Sequence, residues 1–129
     1  MKIFLILIFS LISKISFADT SYLCVAEKST GFIYNKSSKK WDESFFKTSN
    51  KYIIKQTSNN WDISEMGSSF PWTTCYAKPN TVVDCSIAGE RLTFNPLSLK
   101  FIHYFIGGYA LPALGTDTPQ IEIGVCSKI

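Results

Sequence analysis

Two of the four cysteines, Cys75 and Cys85, stand five residues on either side of Asn80. Between them Lys78-Pro79-Asn80-Thr81 is a turn signal. A hairpin centred on Asn80 places the two Cβ atoms opposite each other on one face of an antiparallel pair. Three pairings of Cys24, Cys75, Cys85 and Cys126 are possible, and this geometry favours Cys75–Cys85. Cys24–Cys126 is then the second bridge, and it ties the two ends of the domain together. A zinc site is the rival use of four cysteines. Their intervening spacings of 50, 9 and 40 residues contain no C-x₂-C pair, so neither a metal site nor a redox pair is expected.

Disulfides need an oxidising compartment, and the first residues supply the route to one. Lys2 precedes a ten-residue apolar run, Ile3 to Ile12, and Ser16-Phe17-Ala18 places small residues before Asp19. That is the layout of a secretory signal peptide over residues 1–18. The run is too short to cross a bilayer core, which needs about twenty apolar residues. The expected product is a single domain over residues 19–129, periplasmic or secreted, with no membrane attachment after cleavage.

Removing the leader changes the electrostatic reading. The whole chain of 129 residues carries +3. The 111 residues from Asp19 hold eleven basic against ten acidic side chains, or +1. No nucleic-acid partner is expected from so neutral a domain.

Along the domain, apolar alternation and turn residues recur about every ten positions, the rhythm of an antiparallel all-β protein. Strands are expected at 22–27, 32–35, 41–46, 52–56, 61–66, 72–77, 82–88, 91–95, 99–106 and 120–126. Residues 43–47 are the one place where a short helical turn is expected. Residues 32–44 and 52–64 match at Ile33/Ile53, Ser38/Ser58, Trp41/Trp61, Asp42/Asp62 and Ser44/Ser64. Each copy reads as strand, polar turn, strand. A meander of eight to ten short strands closes into a barrel or folds into two packed sheets. A bond between first and last strands suits the closed form. The expected core is Val25, Phe32, Tyr34, Trp41, Ile54, Trp61, Val83, Leu92, Phe94, Phe101, Phe105, Ile121 and Ile123.

Few residues advertise chemistry. His103 is the only histidine, and alternation places it on the face of Leu99, Phe101 and Phe105. It has no carboxylate near it in sequence, and no G-x-S-x-G element supplies a nucleophile. A hydrogen-bonded histidine in the core or at a barrel end is favoured over a general base. Glu122 has two readings. Strict alternation puts it on the face of Cys126, pointing inward, where Arg91 would be an attractive partner. Alternatively Ile121 and Ile123 point inward and Glu122 faces solvent, or Gly124 marks a bulge that switches faces. Trp41, Trp61 and Trp72 are read as core anchors in preference to an exposed aromatic strip. The segment Gly107 to Pro119 lacks alternation and carries Tyr109, Leu111 and Leu114. Long irregular segments are commonly functional, so it is the favoured contact surface. Asn35-Lys36-Ser37 matches a glycosylation sequon.

A set of residues in order carries a resemblance. It comprises Tyr22-Leu23-Cys24-Val25-Ala26, Gly31-Phe32, Trp41, Lys51-Tyr52-Ile53-Ile54, Cys75, Cys85, Phe94-Asn95 and Leu99-Lys100-Phe101. It ends in Thr118-Pro119-Gln120-Ile121-Glu122-Ile123-Gly124-Val125-Cys126-Ser127. The chain resembles a group of small exported bacterial proteins of unknown function, most specifically in the ending Thr-Pro-x-Ile-Glu-Ile-Gly-x-Cys. The resemblance implies a bacterial source and an exported product, and brings no catalytic or binding residue with it. In size, export and disulfides the chain is also similar to bacterial periplasmic lysozyme inhibitors, which are small β-barrels. The expected function is a non-enzymatic binding protein that contacts a protein partner through end loops, with no cofactor. The alternatives are a small-ligand or glycan binder using aromatic residues, and a periplasmic hydrolase or hydrolase inhibitor. The candidate binding residues are Tyr109, Leu111, Leu114, Glu122 and His103.

Overall fold

The structure, a computed structural model, describes residues 19–57, 60–68, 72–77 and 82–129. The expected leader and the turn at 78–81 lie outside the described residues. Among those described, nine strands form one antiparallel sheet: β1 Thr20–Asn35, β2 Lys40–Phe46, β3 Lys51–Gln56, β4 Trp61–Glu65, β5 Thr73–Ala77, β6 Val83–Ile87, β7 Glu90–Asn95, β8 Lys100–Phe105 and β9 Gln120–Lys128. Their order is β2-β1-β3-β4-β5-β6-β7-β8-β9, and β1 also pairs with β9. Eight strands therefore close into a barrel, with β2 as one extra strand. The barrel form of the expected architecture is the one adopted, and closure leaves the eight strands of the wall without a free edge.

The first two expected strands are one. β1 runs through the expected Ser29–Gly31 turn and serves three neighbours. It pairs with β3 over Thr20–Val25, with β9 over Tyr22–Gly31 and with β2 over Ser29–Asn35. A bulge at Glu27 makes this possible: the register with β9 shifts between Ala26 and Lys28. An extra residue reverses the side-chain parity. Tyr22, Cys24 and Ala26 point inward before the bulge, and Ser29 points inward after it. Phe32, expected in the core, is consequently 50% exposed.

The bulge lies on β1, so β9 alternates without interruption. Glu122, Gly124 and Cys126 face inward, while Ile121, Ile123 and Val125 face out. Ile121 and Ile123 are thus outer-wall residues, a correction to the expected core. Gly124 sits where β1 passes close by: a Cβ there would lie 2.1 Å from the Val25 carbonyl oxygen and 2.6 Å from the Phe101 ring. Gly124→Ala is expected to destabilise by about 2–3 kcal/mol, as overpacking at an unyielding backbone contact does. A urea melt checks it, and a loss under 0.5 kcal/mol would show that the strands can separate.

Ile54, Ile63, Val83, Leu92 and Phe94 are fully enclosed and fill the barrel with Tyr22, Tyr52, Phe101 and the two disulfides. Trp61 packs beside them against Tyr22 and Phe94, partly exposed. Val25, Tyr34, Trp41 and Phe105, also expected inside, are only half-buried. Both expected bridges are present, Cys24–Cys126 and Cys75–Cys85. In each, the cysteines are direct cross-strand partners.

The turns follow their side chains. Asn35 Oδ1 accepts the amides of Ser37 and Ser38, and Asn95 Oδ1 those of Leu97 and Ser98. Each is an Asx turn, and each is completed four residues after the Asn by a left-handed residue, Lys39 or Leu99. The repeat at 32–44 and 52–64 is a pair of hairpins, β1–β2 and β3–β4, as its turns imply. Residues 43–46 lie in β2 and form no helical turn. The helical turns occur instead at Gly107–Ala110 (α1) and Pro112–Leu114, the latter a short 3₁₀ turn.

Candidate functional site

The strand directions gather one set of termini at a single barrel end. β3, β5, β7 and β9 start there and β4, β6 and β8 finish there. Two structures occupy this rim. The β1–β2 hairpin projects beyond the point where β9 begins opposite Gly31. The 107–119 segment joins β8 to β9. Gly107 starts that segment at a φ of 59°, with the backbone of Asp117 to Pro119 packed against its Cα, so any side chain would be excluded. At its end the Pro119 carbonyl accepts the Phe32 amide at 3.0 Å and binds it to the hairpin.

Inside the mouth lies a cluster of polar groups that few small barrels would bury without mutual satisfaction. Glu122 is 2% exposed and His103 3%. Glu122 Oε1 accepts the Asn50 side-chain amide at 2.6 Å, and Oε2 accepts the Tyr52 hydroxyl at 3.0 Å. His103 Nδ1 lies 3.3 Å from Oε2 and 3.2 Å from the Tyr52 oxygen. Burial alone would push the Glu122 carboxyl up. The hydrogen bonds from His103, Tyr52 and Asn50 outweigh it and hold the group below its ordinary range. Burial, then the charge of Glu122 and the hydrogen bond to it, pushes the Tyr52 hydroxyl far above its ordinary range. Glu122 is therefore an anion and Tyr52 a donor.

These two states fix the histidine. A carboxylate only accepts, and the Tyr52 proton is given to it. Nδ1 must carry a proton to approach Oε2, so the neutral ring has its lone pair at Nε2. Among the described residues Nε2 has no hydrogen-bond partner, and Glu90 Oε1 lies 3.8 Å away. It borders a well of about 100 Å³ lined by Asn50, Tyr52, Glu65, Trp72, Glu90, His103 and Gln120. Among the described residues no Ser, Thr or Cys lines the well, so the chemistry on offer is acceptance of a hydrogen bond at Nε2 of the neutral ring. Among the described residues no group of three His, Cys, Asp or Glu could hold a metal ion.

Beside the well is a larger, apolar groove of about 650 Å³ between hairpin and segment. Phe32, Lys40 and Trp41 line one wall, and Ile106, Tyr109 and Pro119 the other. Trp41 meets Tyr109 edge-on at 5.8 Å and Tyr34 at 5.3 Å.

Sequence reasoning located His103, Glu122 and Tyr109 and not the company they keep. Arg91, the suggested partner of Glu122, is engaged on the outer wall. Its guanidinium takes both carboxylate oxygens of Asp84, which also accepts Thr93 Oγ1 at 2.8 Å. Leu111 and Leu114 are half-buried, their methyls lying over Gly89 in the β6–β7 turn, whereas Tyr109 is 71% exposed. The three tryptophans form no strip: Trp61 is against the core, Trp72 stands edge-on to His103 at 5.8 Å, and Trp41 is on the hairpin. Asn50, Tyr52 and Glu90 were missed. For Tyr52 a signal existed, since it shares the face of Ile54, an expected core residue.

Comparison with family models, curated proteins and solved structures gave no match. No helix among the described residues is long and apolar enough to cross a membrane.

Proposed function

We propose that this chain is a small exported, non-enzymatic binding protein that recognises a protein partner at the barrel rim. The observation that carries the reading is the groove in which the 107–119 segment brings Tyr109 to Trp41. Tyrosine and tryptophan at the centre of a concave surface are the residues on which binding energy usually concentrates. A protein is favoured over a glycan because the hairpin adds something a glycan does not use. β2 pairs with β1 alone among the described strands, and its outer edge offers backbone donors and acceptors to an extended segment. Two disulfides suit an oxidising compartment, which supports export as the signal-peptide layout implies. The groove's volume also falls in the range of small-ligand sites, which keeps the glycan or small-ligand reading as the second.

A photo-crosslinking residue at position 109 tests the proposal in extracts of the native compartment. The expected result is a discrete protein adduct, reduced at least tenfold by Trp41→Ala. A crosslinker at Tyr76, which is exposed on a wall strand, serves as control. Equal adducts from both positions, or none from 109, would overturn the protein reading. Retention on polysaccharide that depends on Trp41 and Tyr109 would move the assignment to a glycan.

A further inference from the structure

The well beside His103 has a chemistry of its own, separate from the apolar groove. Its lining brings two carboxylates from opposite sides, Glu65 at the end of β4 and Glu90 at the start of β7. Asn50 and Gln120 add amide groups, and Trp72 adds an aromatic wall. No Lys or Arg is among the described lining residues. Behind them Glu122 is a third, buried carboxylate. An acidic rim alone would be an ordinary solvated surface. What distinguishes this one is His103 Nε2, a buried ring nitrogen without a hydrogen-bond partner among the described residues. In the neutral ring, the proton that Nδ1 directs at Glu122 leaves Nε2 as the acceptor. The site therefore presents acceptors and negative charge with no Lys or Arg among its described lining residues.

We infer that this well binds a cationic donor group, a guanidinium or a primary ammonium, which donates to His103 Nε2 and to the Glu90 carboxylate. The separation of 3.8 Å between Nε2 and Glu90 Oε1 is too long for a direct bond and leaves both free to accept from one ligand. A planar guanidinium, with N–H donors on adjacent nitrogens, meets two acceptors at that spacing. The volume of about 100 Å³ admits one such head group and excludes a sugar ring. Glu65 supplies the counter-charge on the opposite side, and Trp72 gives the cation an aromatic neighbour. The source of the cation is either a free small amine or guanidine, or an Arg or Lys side chain of a polypeptide.

His103 is the only histidine, so its ring gives a single pair of ¹⁵N signals in the full exported chain. Ethylguanidinium and n-butylammonium are the cationic probes, with ethylurea as the neutral analogue of similar shape. The expected result is a saturable shift of the Nε2 signal with either cation and none with ethylurea. Glu90→Gln is expected to weaken the better cation roughly tenfold, as loss of a charged acceptor does. Glu65→Gln, which removes charge without touching Nε2, is expected to weaken it less. An acetyl-Gly-Arg-Gly-amide peptide that binds at least as tightly as ethylguanidinium identifies a polypeptide source, and weaker peptide binding identifies a free small cation. No saturable shift with either cation would overturn the inference. So would an equal shift with ethylurea, which marks a water-like occupant only, or unchanged binding in Glu90→Gln. The double variant Trp41→Ala/Tyr109→Ala is expected to leave the shift intact, so failure of the groove reading leaves this result unaffected.

Discussion

Replacing Cys24 and Cys126 together by alanine is expected to lower the unfolding free energy by about 4–5 kcal/mol. The bridge spans 102 residues, and chain entropy makes long loops the most valuable to close. Removing Cys75 and Cys85 opens a span of only 10 residues, for which the same treatment gives about 3 kcal/mol. The contrast matters more than either value. A domain of this size has roughly 5–15 kcal/mol in total, so the first variant approaches the limit of folding and the second does not. The location adds to the effect. Cys24 and Cys126 face each other where β1 and β9 complete the barrel, whereas Cys75 and Cys85 join neighbours in the chain's own meander. Urea unfolding of both variants measures the difference. Equal losses would mean that β1–β9 pairing closes the barrel without help.

The second large effect is expected at Glu122. Glu122→Leu leaves the Asn50 amide, the Tyr52 hydroxyl and His103 Nδ1 facing an apolar side chain in a closed interior. Unmaking a buried charged network in this way costs about 3–5 kcal/mol. Glu122→Gln keeps an acceptor oxygen and should lose less, about 1–3 kcal/mol. The pH dependence follows from the direction of the shift. Folding lowers the Glu122 pKa below its ordinary 4.5. A carboxylate of this kind stabilises the folded state fully above its unfolded pKa, and the contribution disappears as pH falls through the folded value. Wild type should therefore lose stability from about pH 5 downward. Glu122→Gln, with nothing to protonate, should show a shallower acid limb. Parallel limbs in the two proteins would show that Glu122 is not the ionised partner described here.

Most of the architecture was legible because two local signals agree with the global fold. Turn chemistry at Asn35, Gly89 and Asn95 marks where strands reverse, and the Cys75–Cys85 spacing predicts a register that the strands adopt. What was illegible is what depends on parity. A single bulged residue, Glu27, exchanges the inner and outer faces of β1, and nothing in its composition announces it. Phe32 was misplaced for that reason. On β9 the outward Ile121, Ile123 and Val125 are apolar while only Cys126 carries an apolar side chain inward, so hydrophobicity argues for the wrong face. Only Cys126, whose bridge must point inward, decides it correctly. The polar cluster was half legible. His103 and Glu122 attract notice because such residues are rare inside a small core, but they are cross-strand neighbours through the β8–β9 register, 19 positions apart in the chain. Asn50 reaches them from 72 positions away, and no local pattern encodes that.

A buried Glu122 anion clasps Tyr52 and His103 and leaves one buried histidine nitrogen without a hydrogen bond at the barrel mouth. The ring ¹⁵N spectrum of His103 in its neutral form tests it directly, since no other histidine contributes. The neutral ring is expected to carry its proton on Nδ1 and to leave Nε2 unprotonated, a pattern that Glu122→Gln should disturb. A ring protonated at Nε2 alone would place the lone pair against Glu122 and contradict it.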